Sequence, residues 1–348
     1  MEGRARRVLA EILYDGKEVG LSARVESISY TDNDKGRSDE ISVVFCDRNA
    51  DWLMKEFIPE KEHDLDVTMY FESWEHLGAA ALKYHCGNFT IDDISYSGAP
   101  YQCTIKGVSI PASTDFLTVP KSKTWEQSTV KQIAEEKMSE YGMETLFWYG
   151  DTPVLEKIAQ DNQTDSDFLY KLCEDNGLNI KVYKKGLVIF DKKIYEPRGV
   201  KKVFTKTDFE SFDWNTTLTG TYTGAHLAYT NPATKAQTDK KDKNGNPIPK
   251  TIDILVGEGP RILYMSEKAD SEDDARRKAA ARINSENEKA VTMSFTAMAN
   301  VNLFATDNFE VLGMGRCDGK YYTSSVTHSL SQSGESMSVE GYKIFDRM

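Results

Sequence analysis

Gly257-Glu258-Gly259-Pro260 carries the first two glycines of a loop that could cradle a phosphate. Such a loop needs a third glycine and a helix start behind it, so that backbone N–H groups converge on the anion. Neither follows, and the stretch reads as a turn between strands. Gly313-Met314-Gly315-Arg316 fails in the same way. The five histidines (His63, His76, His85, His226, His328) never stand at i, i+4 spacing with another metal ligand. His85-Cys86 would point to opposite faces of a strand, and so would the carboxylates of Asp92-Asp93, the pair that glycoside cleavage would use. No Gly-x-Ser-x-Gly elbow presents a nucleophilic serine. Trp52, Trp74, Trp125, Trp148 and Trp214 are too dispersed to form a sugar-stacking platform. Lys240, Lys241 and Lys243 are the one cluster with a binding character, a contact loop for an anionic partner, set in a polar stretch whose charges otherwise face solvent. The expectation is a protein with no catalytic residues, no metal and no cofactor.

The bulk properties narrow the partners. The chain has 348 residues, 28% of them charged and 39% hydrophobic, enough for two or three domains with a proper core. Its net charge of −12 argues against specific nucleic-acid binding, which needs a basic face to neutralise phosphates. No apolar run approaches the ~20 residues of a membrane helix, so no membrane insertion is expected. Arg4, Arg6 and Arg7 precede Val8-Leu9-Ala10, but Glu11 cuts that run short of a signal-peptide core, and a cytoplasmic site of synthesis and residence is expected. Five cysteines without a CxxC pair fit reduced thiols rather than a disulfide framework.

The elements that must carry any surface come next. The first third reads as short strands at Val8–Tyr14, Val19–Tyr30, Ile41–Cys46, Leu65–Phe71, Phe89–Tyr96 and Gln102–Ile110, with one short helix over Trp52–Phe57. That spacing predicts a sandwich or a barrel. The middle changes period. Thr124-Trp125-Glu126-Gln127 has the form of a capping box, ahead of a helix with Val130, Ile133, Ala134 and Met138 on one face and Gly142 as its stop. A second helix is expected over Ser166–Asn176, capped by Asp165 or Ser166, with Phe168, Leu169, Leu172 and Cys173 as its stripe and Gly177 as its end. A hairpin follows, Leu178–Tyr183 and Leu187–Asp191, turning at Lys184-Lys185-Gly186.

Two stretches occur twice. Glu26-Ser27-Ile28-Ser29-Tyr30-Thr31 returns 184 positions on as Glu210-Ser211-Phe212-Asp213-Trp214-Asn215, and the register extends to Gly36 on Gly220, Phe45 on Tyr229 and Asp47 on Asn231. Gly87 to Ser97 matches Gly319 to Ser329, and each copy returns as a strand ending in Thr104–Gly107 or Ser338–Gly341. Between these blocks, Val67–Met69 can be set against Val291–Met293, or Leu65–Met69 against Phe309–Gly313. The second copy is longer. The excess is assigned to a polar loop over 231–250 and a helix over about 271–283, acidic at its start and basic toward its end. The chain thus divides into a β-unit at 1–112, an α+β middle unit at 113–200 and a second β-unit at 201–348.

Five blocks in collinear order resemble a known family. They are Ser27–Asp32 with Gly36 and Asp39–Ser42, Cys86–Ile94, Trp125-Glu126 with Val130–Ala134, Asp165–Leu178, and Leu218–Tyr222 with Asp318–Tyr322 and Val326–Ser329. The chain resembles the phage late control protein D family, which is similar to the baseplate hub of contractile tails and to the hub half of type VI secretion spike proteins. The resemblance implies a mainly β fold with an α+β insertion and two related antiparallel β-barrels per chain. It also implies structural work in a homotrimer, a pseudo-sixfold ring between the sixfold tail tube protein and a threefold central spike protein, alongside other baseplate or tape-measure proteins. The particle would be a phage tail, a tailocin or a related injection system, assembled in the bacterial host cytoplasm. The sequence ends soon after the last strand of the second unit, so the spike is expected as a separate protein. Two other readings are a tail-associated peptidoglycan hydrolase, which a zymogram would reveal, and a carbohydrate-binding tail-tip module, which glycan-dependent adsorption would reveal.

Overall fold

Period-two alternation builds the first six strands. The computed structural model describes residues 7–34, 38–54, 59–74, 76–109, 115–143, 145–148, 154–183, 186–230, 237–241, 247–249, 251–267, 269, 271–299, 302–331 and 334–348. Strands β1 (Arg7–Tyr14), β2 (Val25–Asn33), β3 (Glu40–Cys46), β4 (Asp64–Glu72), β5 (Leu82–Ser97) and β6 (Gln102–Val108) pair antiparallel in the order β1-β4-β5-β6-β3-β2. Ile28 and Tyr30, then Ile41, Val43 and Phe45, then Leu65, Val67, Met69 and Phe71 turn inward to one core. The strand expected from Val19 starts later, because Ser22–Arg24 form a 3-10 turn. Its Ser22 Oγ accepts from the Ile12 N–H at 3.0 Å and draws β1 toward the entrance of β2. Of the helix expected over 52–57 only α1 (Asp51–Met54) is described. Asp47 accepts there from the Asp51 and Trp52 N–H groups at 3.1 and 3.0 Å.

The middle unit holds α2 (Asp115–Thr118), β7 (Pro120–Thr129), α3 (Val130–Ser139), β8 (Thr145–Trp148), β9 (Val154–Thr164), α4 (Asp165–Asp175), β10 (Asn179–Tyr183), β11 (Gly186–Phe190) and α5 (Lys192–Tyr195). The capping box lies five residues beyond the expected one. Thr124 and Gln127 belong to β7, held extended by β9, and Thr129 with Gln132 forms the box, at 3.2 Å and 2.9 Å. α4 is capped by the Thr164 hydroxyl, which accepts from Asp167 N–H at 3.1 Å, rather than by Asp165 or Ser166. The expected apolar faces hold, with Val130, Ile133, Ala134, Met138, Phe168, Leu169, Leu172 and Cys173 in one core over the sheet β10-β11-β8. Gly142 and Gly177 end the two helices at positive φ. Met143 N–H returns to Met138 O and Leu178 N–H to Cys173 O. Lys184 and Lys185 lie outside the described residues.

The last part repeats the first. Strands β12 (Val200–Phe204) and β13 (Phe209–Thr216) are followed, after an insert, by β19 (Val291–Ala297), β20 (Asn308–Val311), β21 (Gly319–Ser331) and β22 (Gly334–Lys343). They run β13-β19-β22-β21, with β20 on β21 and β12 on β20, and an antiparallel ladder between β2 and β21 joins both halves into one sheet. Four ladders recur pair for pair. Val25↔Phe45 returns as Phe209↔Ala297, Ser42↔Lys106 as Ser294↔Glu340, Ile91↔Gly107 as Thr323↔Gly341, and Leu65↔Phe89 as Phe309↔Tyr321. Bulges fall at equivalent steps, after Val25 and Phe209 and after Ile91 and Thr323. Gly107 and Gly341 sit at equivalent steps for one reason: a Cβ on Gly107 would lie 2.8 Å from Phe89 Cβ, and one on Gly341 2.5 Å from the Tyr322 carbonyl oxygen. The repeat departs at its outer strand, since β1 runs antiparallel to β4 while β12 runs parallel to β20.

This pairing corrects the register read beyond Thr31 and Asn215. The counterpart of Phe45 is Ala297, not Tyr229, and Leu65 aligns with Phe309, so Val291–Met293 belongs with β3. Gly36 lies outside the described residues. Tyr229 is in the insert, which is larger than a loop and a helix: β14 (Gly224–Thr230), β15 (Gln237–Lys241), β16 (Pro247–Pro249), β17 (Thr251–Gly257), β18 (Ile262–Ser266) and α6 (Glu272–Asn287). The stretch 231–250, expected as polar loop, contains the antiparallel pair β15 and β16, and its remaining residues lie outside the described ones. The sheet β17-β14-β18 packs Ala225, Leu227 and Tyr229 against Ala275, Ala279 and Ile283 of α6. Gly257 and Gly259 take the chain from β17 to β18 across the start of β14, where added Cβ atoms would lie 2.5 Å from Thr223 O and 2.6 Å from Thr223 Oγ1.

Candidate functional site

The residues singled out for chemistry stay apart. Among the described residues no three His, Cys, Asp or Glu side chains converge to hold a metal ion. Cys86 is buried while His85 reaches Asp66 at 3.2 Å, on the other face of β5. Asp93 meets Lys106 at 3.4 Å, and Asp92 is exposed. Lys240 and Lys241 lie on β15, and Lys243 is outside the described residues. Burial pushes the Cys173 thiol up to about 12, so it stays protonated and unreactive.

The chemistry that sequence reasoning missed is structural, a set of buried ion pairs where the parts of the chain meet. Lys192, at the start of α5, places its Nζ 2.7 Å from Asp34 Oδ2 beyond β2 and 3.1 Å from Glu288 Oε2 beyond α6. The same ammonium lies 4.8 and 4.9 Å from the ring centroids of Tyr322 and Tyr342. Arg347 continues the chain of charges, 2.9 Å from Glu288 and 2.6 Å from Glu196, which also accepts from the Tyr342 hydroxyl at 2.7 Å. Lys181 on β10 pairs with Asp32 of β2 and lies 3.4 Å from Asp39. Burial raises the Asp39 carboxyl to about 7, against the pull of Lys181. Asp32 also accepts from the Ala305 N–H at 2.8 Å. Within the middle unit, buried Asp165 meets Lys137 at 2.8 Å and Lys121 at 2.9 Å and accepts from Tyr141 at 2.6 Å and Gln160 at 2.8 Å. Burial opposes its charge, but these donors prevail and hold it at about 2. The only sequence signal for this seam was the position of lysines within apolar patterns, Lys137 on the α3 stripe and Lys192 between Phe190 and Tyr195.

The seam opens outward into a charged cleft of about 1210 Å³, lined by Asp34, Tyr170, Glu174, Arg277, Lys278 and Arg347 among others. Sheet edges are open as well. Among the described residues β1 pairs with β4 alone and β13 with β19 alone. On β13 the residues from Glu210 to Asp213 are exposed, and Phe212 is 44% exposed. Unpaired N–H and C=O groups along such edges recruit another strand unless they are blocked or covered. Such edges are able to pair with a strand of another protein.

A family model described as phage tail baseplate hub (GPD) matches residues 110–334. A protein of Escherichia phage 186 described as a probable baseplate hub protein is 24% identical over 360 residues, covering 92% of this chain and 88% of its own. The 43 kDa tail protein of prophage MuSo2 from Shewanella oneidensis has a similar fold, with a TM-score of 0.69, 14% identity, and coverage of 97% of this chain and 98% of that one. An Escherichia coli component of the type VI secretion system aligns at a TM-score of 0.62 and 12% identity, over 97% of this chain and 78% of its own.

Proposed function

This chain belongs to the phage tail baseplate hub family, and we propose that it forms the central ring of a contractile tail, adapting a sixfold tube to a threefold spike. The observation that carries the reading is the repeat. One polypeptide presents the same ladder set twice, joined edge to edge through β2 and β21. Three such chains in a closed ring would offer six similar β-units to the tube while keeping threefold symmetry, because the insert at β14–α6 occurs only in the second unit. In that ring each β-unit closes as a barrel, one within 1–112 and one within 201–348, and 113–200 stands between them.

The buried seam supports the same role. A hub that bears load between tube and spike needs its units fixed relative to one another, and Lys192, Lys181 and Arg347 tie both halves of the sheet to the middle unit and the insert. The role is structural, without turnover, in a phage tail, a tailocin or a related injection system assembled in the host cytoplasm. Lys240, Lys241 and Lys243 are proposed to meet an acidic neighbour in the baseplate. Co-expression with the tube and spike proteins encoded beside it tests the reading. Both should co-purify with the tagged chain, and retention of neither would overturn it.

A further inference from the structure

We propose that copies of this chain join head to tail by pairing β13 of one copy with the free end of β5 in the next, antiparallel, with Asn215 opposite Ser95. The proposal rests on the hub reading and specifies its joint. The template lies within the chain itself, where β2 pairs with β21 through Ser29↔Ser329, Tyr30↔His328, Thr31↔Thr327 and Asp32↔Val326. The recurring ladders make β13 the counterpart of β2 and β5 the counterpart of β21. Carried across, the four pairs become Asp213↔Ser97, Trp214↔Tyr96, Asn215↔Ser95 and Thr216↔Ile94.

Both partners have the required edge free. β21 uses Gly319–Val311 pairing and its neighbours for β20, then gives one side of Ser325–Leu330 to β2. β5 likewise gives Leu82–Thr90 to β4 and Ile91 to the backbone of Glu62 and His63 just ahead of it, and among the described ladders no strand takes that side of Asp93–Ser97. Among the described ladders the far side of β13 is open too. Burial marks the missing partner. Ile28 on β2 is 1% exposed, whereas its counterpart Phe212 is 44% exposed, and Val326 and His328 are fully buried where Ile94 and Tyr96 are half-buried. No like charges oppose in the proposed register, since Asp213 faces Ser97. Repetition of one heterologous contact, alternately within and between chains, gives a ring when the rotation closes.

The template also dictates the test. Thr31 Oγ1 and Thr327 Oγ1 lie 3.0 Å apart across the internal joint, so side chains at 215 and 95 should touch between copies. The full chain carrying Asn215→Cys and Ser95→Cys should form covalent dimers and trimers on oxidation, linked between positions 215 and 95 by peptide mapping. Asn215→Cys with Ser97→Cys, one ladder step off, should link about tenfold less. Phe212→Glu, at an exposed site, should raise the midpoint for ring dissociation about tenfold or more while leaving the chain's circular dichroism unchanged. Rings that resist Phe212→Glu and do not link at 215 and 95 overturn this joint and leave the hub reading standing. A chain that stays monomeric and unlinked also overturns the joint, and its capture of tube and spike then judges the hub reading separately.

Discussion

Replacing Lys192 with methionine should loosen the whole chain. The side chain is 2% exposed and is shared by Asp34 and Glu288, themselves 6% and 12% exposed, at 2.7 and 3.1 Å. Methionine keeps most of the volume and the contact with Tyr322 and Tyr342 but leaves the Asp34 carboxylate without its cation, facing a Glu288 that retains Arg347. Removing one partner of a buried pair costs about 3–5 kcal/mol, because the remaining charge is left uncompensated. Loss of the ammonium over two rings falls within that figure, since cation–π contacts of a desolvated cation are worth about 2 kcal/mol. Lys192→Met should therefore lower the urea unfolding free energy by about 3–5 kcal/mol. Adding Asp34→Asn and Glu288→Gln should recover most of the loss, because no buried charge then lacks a partner. A single substitution costing less than about 1 kcal/mol, or a triple variant no more stable than the single, would refute the view that this seam holds the units together.

Three further outcomes follow from the same geometry. Gly107→Ala and Gly341→Ala should each destabilise by about 1–3 kcal/mol, the second more, because its new methyl meets a backbone carbonyl; circular-dichroism melts would show it. Asp165→Asn should cost about 3–5 kcal/mol by leaving buried Lys137 no counter-charge nearer than Glu140 at 3.9 Å, read from the fluorescence of Trp125, which stacks on Phe168 in the same core. Asp39, raised from 3.8 to about 7 in the folded chain, takes up its proton there first, so its contribution to stability should grow as pH falls from 8 toward 5 and level off below about 4. Asp39→Asn should remove that slope in urea midpoints measured across the range, and an unchanged slope would contradict the assignment.

The parts of the fold that sequence revealed are those fixed by burial. Ile28 and Tyr30, or Phe168 and Leu172, are apolar at strand or helix period because one face meets a core. What stayed hidden was decided by partners. β9 is polar and largely exposed, and it is a strand because β7 pairs with it. That same pairing overrides the capping form at Thr124, leaving the identical form at Thr129 to start the helix. β14 alternates like any half-buried strand, so the register ran on from β13 into the insert, and only sheet order shows that β19 takes the place of β3. The buried seam was least visible, since the apolar neighbours of Lys192 hint at burial but nothing in a single sequence names Asp34 and Glu288 as its partners.

The measurement that bears most directly on the hub reading is two-dimensional class averaging of electron micrographs of the purified chain, alone and with its tube and spike proteins. The repeated β-unit predicts rings of threefold symmetry with six lobes around a central channel. Compact monomers that never associate with the tube protein would contradict it.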